Sequence, residues 1–369
     1  MRASVILASH VFNLTSRRSC RSRVEFERRD RSTPVDTPVG ARTIAFARAH
    51  SNIALVKYWG KRDETLNIPA VGSISITLDA LSTGTRVTFD PGLDANLRQD
   101  EFWLNGQLTQ AHRVSGLLDL VRERAGLTMR AVVTSTNDFP TGAGLASSAS
   151  GFAALALAAS AAAGLTLSTR ELSMLARRGS GSAARSIFGG YVEMHTGTRE
   201  DGRDAFAEPL LDAAAWPLCV VVAITDHAAK TVSSTHGMAG SRASSPFYPA
   251  WVDTGEQDLA EMRAAIVGRD FPRLGELAER SCLKLHALML TSRPPLIYWN
   301  AGTVAAMHTV RELRDSGIPA YFTIDAGPQV KALCDPGDAA VVALALAETP
   351  GVLETRTSAL GRGAHLVAA

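Results

Sequence analysis

The segment FPTGAGLASSASG, residues 139–151, is the most informative stretch of the sequence for both local structure and ligand binding. A run of β-branched residues precedes it and a long Ala-rich run follows it, which predicts a strand, a loop and a helix. Small residues at the start of a helix allow backbone N–H groups to converge on an anion, and Ser147 and Ser148 add hydroxyls. No Gly-Lys-Ser/Thr follows, which excludes a Walker A loop. The segment therefore predicts a phosphate-binding loop, with a simple tight turn as the alternative.

The helix that leaves this loop is unusual because residues 141–169 carry no charge. By length alone this run would admit a transmembrane span. It is rich in Ala, Gly and Ser rather than Leu or Ile, so it would gain little from lipid and suits a helix packed inside a protein. We expect a buried helix from about Ala146 to Ala163, ended by Gly164.

The composition is that of a folded protein that follows a basic extension. The chain has 369 residues, of which 46% are hydrophobic and 20% charged, enough for two domains. Residues 1–42 contain nine Arg and four acidic residues, which predicts a disordered extension; a transit peptide and a start site placed too far upstream are the alternatives. Residues 43–369 carry 29 basic and 32 acidic residues, which argues against a nucleic-acid-binding protein. The four cysteines form no CxxC pair, so the sequence indicates neither a zinc site nor a disulfide framework and favours a reducing cytoplasm.

The order of the predicted elements indicates an α+β protein with a domain boundary near residue 215. Alternating residues predict strands at 43–49, 73–78 and 85–89, and Asn105-Gly106 predicts a hairpin turn between 102–104 and 107–108. Further predicted strands cover 130–135, 218–224 and 321–324. Further predicted helices cover 112–125, 169–178 with Ser168 as N-cap, 231–240, 256–267, 270–290, 299–316 and 328–334.

A second loop of small residues, 179–186, contains a single cation. If a helix begins near Ser182, Arg185 lies one turn into it, where its guanidinium could bind a carboxylate or phosphate in bidentate fashion. A capped helix with a surface arginine is the alternative.

Two further segments place charge at the ends of apolar runs. NIALVKYWGK, residues 52–61, holds two of the five lysines among 38 basic residues, which indicates positions that require an ammonium. In YFTIDAGP, residues 321–328, a strand delivers Asp325 to its end, and Gly-Pro is expected to open a helix. A helix N-cap is the alternative role for Asp325.

Five strings, in order along the chain, resemble the diphosphomevalonate decarboxylase family of the GHMP kinase superfamily: NIALVKYWGK, DFPTGAGLASSASGFAAL, ARRGSGSAARSIFGGYVE, VSSTHGM and FTIDAGP. The resemblance spans about residues 44–335 and is closer to the decarboxylases than to the kinases of the superfamily. It implies a two-domain GHMP kinase-like fold, with an ATP-binding domain at 43–215, a C-terminal domain at 216–369 and the active site in the cleft between them. It also implies ATP and Mg²⁺, mevalonate 5-diphosphate as substrate, and a cytoplasmic homodimer that binds neither membrane nor nucleic acid.

The resemblance also implies roles for individual residues. Asp325 would orient or deprotonate the tertiary hydroxyl, Arg185 would hold the substrate carboxylate, and Lys57 would be the catalytic lysine. The implied substrate-binding residues are Asn52, Tyr58, Trp59, Ser180 and Ser182. The implied ATP-binding residues are Asn137, Gly142, Gly144, Leu145, Ala146, Ser147 and Ser148. The ligands of the metal stay unassigned.

One departure from the family pattern bears on the substrate. Val71-Gly72 stands where the family commonly has a polar pair such as Asn-Ser. If this pair belongs to the substrate wall, the diphosphate end is held differently, so a phosphomevalonate decarboxylase and a mevalonate 3-kinase are alternatives on the same scaffold. A nucleotide-binding protein without catalysis is a further alternative, against which the joint presence of Lys57, Arg185 and Asp325 argues.

Overall fold

Two mainly antiparallel sheets carry the fold of the described residues, which are 43–89, 99–139, 144–228 and 230–368 of this computed structural model. The predicted extension at 1–42 and the predicted ATP contact Gly142 lie outside these residues. The strands are β1 (Thr43–Val56), β2 (Lys61–Asp63), β3 (Ile68–Pro69), β4 (Ser73–Phe89), β5 (Glu101–Leu104), β6 (Gln107–Thr109), β7 (Ala131–Asn137), β8 (Tyr191–Met194), β9 (Ala207–Leu211), β10 (Cys219–Ile224), β11 (Ala320–Thr323), β12 (Val330–Cys334), β13 (Glu354–Ala359) and β14 (His365–Leu366).

The helices alternate with these strands. They are α1 (His112–Ala125), α2 (Ser147–Ala162), α3 (Thr169–Gly179), α4 (Ser234–Ser244), α5 (Tyr248–Asp253), α6 (Gly255–Gly268), α7 (Phe271–Leu290), α8 (Ala301–Asp315) and α9 (Ala339–Ala347), together with a 3-10 helix at Gly181–Ile187. The predicted α1 and the predicted N-cap of α3, Ser168, are confirmed, and Glu171 completes a capping box. The helix expected near Ser182 is the short 3-10 helix, and α5 and α9 were not predicted.

The larger sheet has the order β14-β1-β4-β7-β5-β6, and β8 and β9 extend it from β4. The strands predicted at 73–78 and 85–89 are parts of one strand, β4, because β1 pairs with both parts; the register shifts between His50, opposite Ser82, and Asn52, opposite Thr77, so the extra residues lie on β4. The Asn-Gly hairpin is confirmed, with φ of 49° at Asn105 and 80° at Gly106. The last strand, β14, returns to pair with β1, and the domain division near residue 215 stays a prediction.

Helix α2 lies against β1 and β4 of the larger sheet, as its composition predicts. Most of its residues are buried, and Ala153, Ala154, Ala156, Ala158 and Ala159 are fully so. Small side chains allow this close approach of helix and sheet. Gly164, at φ 73°, follows the helix end. Within the described ranges no helix is long and apolar enough to cross a membrane.

The smaller sheet has the order β11-β12-β10-β13 and is covered on both faces. Val220 and Val222 belong to a core that includes α6 and α7, whereas Val221 and Ala223 face the core that includes α8 and α9. The helix predicted at 328–334 is wrong, because this segment is strand β12. Its backbone pairs with β10 on one side and β11 on the other, and that long-range pairing overrides the local Gly-Pro signal.

Candidate active site

A cleft of about 380 Å³ brings together most of the predicted site residues. Its lining includes all of the predicted catalytic and substrate-binding residues, namely Asn52, Lys57, Tyr58, Trp59, Ser180, Ser182, Arg185 and Asp325. Four predicted ATP-binding residues, Gly144, Ala146, Ser147 and Ser148, also line it. The side chain of Leu145 is instead buried in the core, and Asn137 is not part of the lining.

The carboxylate of Asp325 lies between two lysines just after β11. Lys57, at the end of β1, donates from Nζ to Asp325 Oδ1 at 2.8 Å and to the carbonyl oxygen of Ala54 at 2.7 Å. Lys331, on β12, has its Nζ 3.7 Å from Oδ2. Among the described residues Oδ2 has no hydrogen-bond partner, although it is buried. A ligand hydroxyl is the kind of donor that would satisfy this oxygen.

The electrostatics of the cleft keep Asp325 ionised. Burial by itself would raise its pKa, but Lys57, Lys331 and the more distant Arg185 lower the pKa to about 2. No helix follows Asp325, so the N-cap alternative is excluded. A carboxylate with so low a pKa accepts a hydrogen bond at every physiological pH, and it is a weak base toward a free alcohol.

Buried groups on α7 fix the backbone around Asp325. His286 Nε2 lies 3.0 Å from the Asp325 carbonyl oxygen, and the thiol of Cys282 accepts from the amide of Ile324 at 3.3 Å. Burial, together with the charge of Lys57, lowers the pKa of His286 to about 3, so its ring is neutral. These contacts are to the backbone, which makes His286 a support of the loop.

Arg185 is a buried cation at the cleft wall whose hydrogen-bond partners among the described residues are neutral. It is 2% exposed and donates to Ser73 Oγ at 2.5 Å, to Ser75 Oγ at 2.9 Å and to Asn52 Oδ1 at 3.1 and 3.3 Å. Asn52 in turn donates to the 3-10 helix, at Ser182 O and Ser186 Oγ. Burial lowers the pKa of Arg185 to about 10, so the guanidinium remains charged near neutrality. Its charge is therefore available to an anion in the cleft.

The N-terminus of α2 opens on the same cleft. Its N-cap is Ala146, whose side chain cannot accept a hydrogen bond and whose φ of 57° is rare for a residue with a side chain. Gly144, at φ 82°, packs so closely on the carbonyl of Gly327 that a Cβ atom would collide with it. The start of a buried 16-residue helix that has no side-chain cap suits an anion.

Asn137 connects to this helix through buried hydroxyls. The hydroxyl of Thr83 donates to Asn137 Oδ1 at 2.7 Å and lies 2.7 Å from Ser150 Oγ, on the first turn of α2. Ser51 Oγ is 3.3 Å from the same Ser150 oxygen. In the structure, Asn137 therefore helps to hold α2 on the sheet, and its predicted contact with a nucleotide stays a prediction.

Several cleft residues were not among the predicted site residues, although Lys61 and the string at 232–238 stand out in the sequence. Lys61, Asn67, Arg113 and Lys230 line the cleft, as does a run of hydroxyl residues at 233–235. Burial lowers the pKa of Arg113, and it lowers that of Lys230 against the opposing effect of Asp325. The scarcity of lysine was the available signal for Lys230, since four of the five lysines lie at or next to the cleft.

The lining carries a strong excess of positive charge. Over the described part of the chain it contains five cations, which are Lys57, Lys61, Arg113, Arg185 and Lys230, and one carboxylate, Asp325. The hydroxyl of Tyr58 and the indole N–H of Trp59 are buried, and neither has a hydrogen-bond partner among the described residues. Such a cleft is built for a ligand with several negative charges.

Comparison with protein families identifies the chain. Residues 49–207 match the family described as "Diphosphomevalonate decarboxylase-like N-terminal domain", and residues 220–356 match "Mevalonate 5-diphosphate decarboxylase C-terminal domain". The chain belongs to the diphosphomevalonate decarboxylase family. The diphosphomevalonate decarboxylase of Candida albicans is 37% identical over 299 residues, covering 77% of this chain and 82% of that protein. The human diphosphomevalonate decarboxylase is 36% identical, covering 75% and 73%.

Solved structures of diphosphomevalonate decarboxylases share this fold. The mevalonate diphosphate decarboxylase from Staphylococcus aureus superposes with a TM-score of 0.82 at 41% identity, covering 89% of this chain and 99% of that one. A structure described as "MDDEF in complex with MVAPP, AMPPCP and Magnesium" gives a TM-score of 0.81 at 43% identity, covering 89% and 100%. The predicted α+β fold and the resemblance to this family are confirmed.

The departure from the diphosphomevalonate decarboxylase pattern at Val71-Gly72 lies away from the cleft. Neither residue lines it. A Cβ atom at Gly72 would be 2.5 Å from Leu259 on α6, and the Val71 side chain is buried beside Gly255 and Trp251. The pair packs on α6 and does not belong to the lining, so the condition under which it would contact the substrate is not met by the described residues.

Proposed function

We propose that this protein catalyses the ATP-dependent decarboxylation of mevalonate 5-diphosphate to isopentenyl diphosphate, releasing ADP, phosphate and CO₂. The observation that carries the proposal is the cleft lining, which among the described residues holds five cations and one carboxylate, whose Oδ2 has no hydrogen-bond partner there. This arrangement supports a substrate with one hydroxyl and several negative charges. The family membership and the ligands named for the "MVAPP, AMPPCP and Magnesium" complex support the same conclusion.

The nucleotide phosphates would lie at the N-terminus of α2. There the backbone amides face the cleft beside Ser147 and Ser148, and Lys230 supplies a cation. Within the described ranges no three His, Cys, Asp or Glu side chains form a metal cluster. Mg²⁺ commonly keeps several waters and binds through substrate phosphates with one or two protein oxygens, so the hydroxyl of Ser147 fits a nucleotide-borne ion. When bound, Mg²⁺ neutralises charge on the phosphates.

Asp325 and Arg185 would bind the two functional groups at the reacting end of the substrate. Oδ2 of Asp325 accepts the tertiary hydroxyl and orients it, while Lys57 holds Oδ1. Because the pKa of Asp325 is low, the proton transfers to it late, as the hydroxyl oxygen bonds to phosphorus. Arg185 pairs with the substrate carboxylate, because its neutral hydrogen-bond partners leave the charge of the guanidinium uncompensated.

The reaction then proceeds in two steps. In the first, the hydroxyl oxygen bonds to the γ-phosphorus, the bond from phosphorus to ADP breaks, and Asp325 receives the proton. In the second, the new phosphate leaves with the electrons of its C–O bond. The C–C bond to the carboxylate supplies the electron pair of the new double bond and CO₂ departs. Phosphorylation serves to make the hydroxyl a leaving group.

Two further cations of the cleft support a diphosphate. Lys61 and Arg113 line the cleft, as does Asn67, and they add positive charge to that of Lys57, Arg185 and Lys230. Val71 and Gly72 pack away from the cleft lining. Their departure from the family pattern therefore no longer favours a substrate with fewer phosphates. We therefore prefer the diphosphate to mevalonate 5-phosphate or mevalonate.

The test is to measure release of ADP and CO₂ from mevalonate, its 5-phosphate and its 5-diphosphate in parallel. We expect kcat/KM for the diphosphate to exceed the others by at least about a hundredfold, since charge-assisted contacts to the terminal phosphate are lost in the others. ADP release without CO₂ from mevalonate would indicate a 3-kinase. Preference for the monophosphate would indicate a phosphomevalonate decarboxylase.

The resemblance further leads us to propose a homodimer with a cytoplasmic location. The three cysteines in the described residues, Cys219, Cys282 and Cys334, are buried and unbridged, which is compatible with a reducing compartment. Sedimentation of the purified protein would test the dimer, and imaging of a tagged chain would test the location.

A further inference from the structure

Lys331 is a buried cation for which the mechanism above has no role. It is the second residue of β12, between Val330 and Ala332, and its side chain is 0% exposed. Burial of an ammonium carries a large desolvation cost unless its environment compensates for it. A strand in the core of a sheet would ordinarily have an apolar residue at this position.

The contacts of Lys331 reach two functional parts of the cleft. Its Nζ donates to the carbonyl oxygen of Gly144, in the phosphate loop, at 3.1 Å and to the carbonyl of Gln329 at 3.3 Å. The same atom lies 3.7 Å from Asp325 Oδ2. Lys57 hydrogen-bonds the other carboxylate oxygen. The ammonium of Lys331 therefore attracts Oδ2 at a distance beyond a hydrogen bond, so that this oxygen can still accept a ligand hydroxyl.

The backbone around Lys331 is packed equally tightly. Gly144 lies against the carbonyl of Gly327, two residues after Asp325, with no space for a Cβ atom. The phosphate loop and the loop that carries Asp325 are thus in direct contact. Lys331 contacts both loops, through the Gly144 carbonyl and the Asp325 carboxylate. Any displacement of one loop changes the distance between the nucleotide site and the carboxylate.

We propose that Lys331 is a positioning residue that couples the phosphate loop to Asp325. It fixes the Gly144 carbonyl and attracts Oδ2, so that the transferring phosphate and the accepting hydroxyl are held in one geometry. The expected effect of Lys331 on catalysis rests on the proposed function. Its expected effect on nucleotide binding does not.

The charge state of Lys331 provides a specific signature. Burial lowers the pKa of Lys331 to about 8. The charges of Lys57 and Lys230 also lower this pKa, and the charge of Asp325 opposes the shift. Cys282 on α7 is the other titratable group that faces Lys331. Because the pKa is lowered, the ammonium is present below pH 8 and is lost as the pH rises through that value. Activity and nucleotide affinity are therefore expected to fall above pH 8.

The experiment compares Lys331→Met with Lys284→Met. Methionine has a similar length but no charge and no donor. Lys284, on α7, is the lysine outside the cleft, where it pairs with Asp258 and Thr254. The measurements are kcat with mevalonate 5-diphosphate and the dissociation constant of ATP, both from pH 6 to 9.5, with the melting temperature.

We expect Lys331→Met to lower kcat by about tenfold to a hundredfold and to weaken ATP binding. Because the variant lacks the charge at every pH, its kcat and ATP affinity should be as low at pH 7 as above pH 8. Lys284→Met should lower the melting temperature and keep the wild-type pH profile. Lys331→Arg provides a second variant, in which the decline should move up by more than one pH unit because arginine keeps its charge.

Two results would overturn the inference. One is a Lys331→Met protein with wild-type kcat and ATP affinity. The other is a basic decline that persists at the same pH in both Lys331 variants. If the wild-type protein instead releases no CO₂ from any of the three mevalonate compounds, the proposed function fails, while ATP binding to the variants still decides the role of Lys331.

Discussion

Buried cations in two regions of this protein have opposite surroundings. Away from the cleft, two cations have carboxylate partners: the buried Arg122 pairs with Asp100 and Asp119, and the half-buried Arg314 pairs with Glu279 at 2.8 Å. At the cleft, three buried cations act on one carboxylate, Asp325; Lys57 and Arg185 line the cleft, and Lys331 lies next to the lining. The first arrangement neutralises charge so that the fold can bury it, whereas the second leaves positive charge uncompensated.

Arg177 shows that a buried cation without a carboxylate is not by itself a site. Its guanidinium donates to the carbonyl oxygens of Leu66, Gly202 and Ala205, and it does not line the cleft. The cleft differs because its cations border open volume, next to a helix N-terminus and an unpartnered carboxylate oxygen. What marks a functional site here is uncompensated charge that a ligand can reach.

Asp325→Asn should give the largest loss of activity in this comparison. The amide keeps the size and shape of the side chain but cannot receive the proton, so turnover should fall by at least about a hundredfold. ADP and CO₂ release should fall together because phosphorylation precedes elimination. Loss of CO₂ release alone would place Asp325 in the second step, and wild-type rates for both would remove it from the mechanism.

Arg185→Lys keeps the charge and removes the planar guanidinium. An ammonium cannot reproduce the contacts with Ser73, Ser75 and Asn52 and still pair with a carboxylate, so kcat/KM should fall by about tenfold or more. Steady-state kinetics with mevalonate 5-diphosphate measures this. Near-normal kcat/KM in this variant would contradict the proposed pairing with the substrate carboxylate.

Arg122→Leu should destabilise the fold without changing catalysis. It leaves Asp100, which is 3% exposed, as a buried charge without its partner, at a cost of about 3–5 kcal/mol in the free energy of unfolding. Urea unfolding checks the loss, and an unchanged KM for ATP checks its separation from the cleft. Adding Asp100→Asn should restore part of the stability, because the amide oxygen can still accept from the Ala131 amide.

Gly72→Ser restores part of the family pattern and should have the smallest effect. Its Cβ would be 2.5 Å from Leu259, so we expect about 1–3 kcal/mol of destabilisation and unchanged KM values. Gly116→Ser, on the exposed side of α1 with open space at its Cβ position, is the matched control. A change in the KM for the diphosphate would return this segment to the substrate wall.

Local sequence signals predicted most of the elements and the residues that line the cleft. The segment at 139–151, the hairpin turn at Asn105-Gly106 and the capping box at Ser168 depend on neighbours a few residues apart. Local sequence also singled out Lys57, Arg185 and Asp325, and the motif resemblance assigned their roles; they lie more than 120 residues apart yet line one cleft. The expected helix at 328–334 failed where two distant strands decided the conformation.

From the sequence alone, the α+β class, the buried small-residue helix and the charged and hydroxyl residues of the cleft could be predicted. Short-range sterics and residue type govern these features. Only the tertiary structure decided that β12 is a strand, that Val71-Gly72 packs on α6, and that Lys331 lies between Gly144 and Asp325. Each of these depends on which distant segment supplies the neighbouring atoms. In a folded chain, desolvation and pairing at such contacts outweigh the local preference of a few residues.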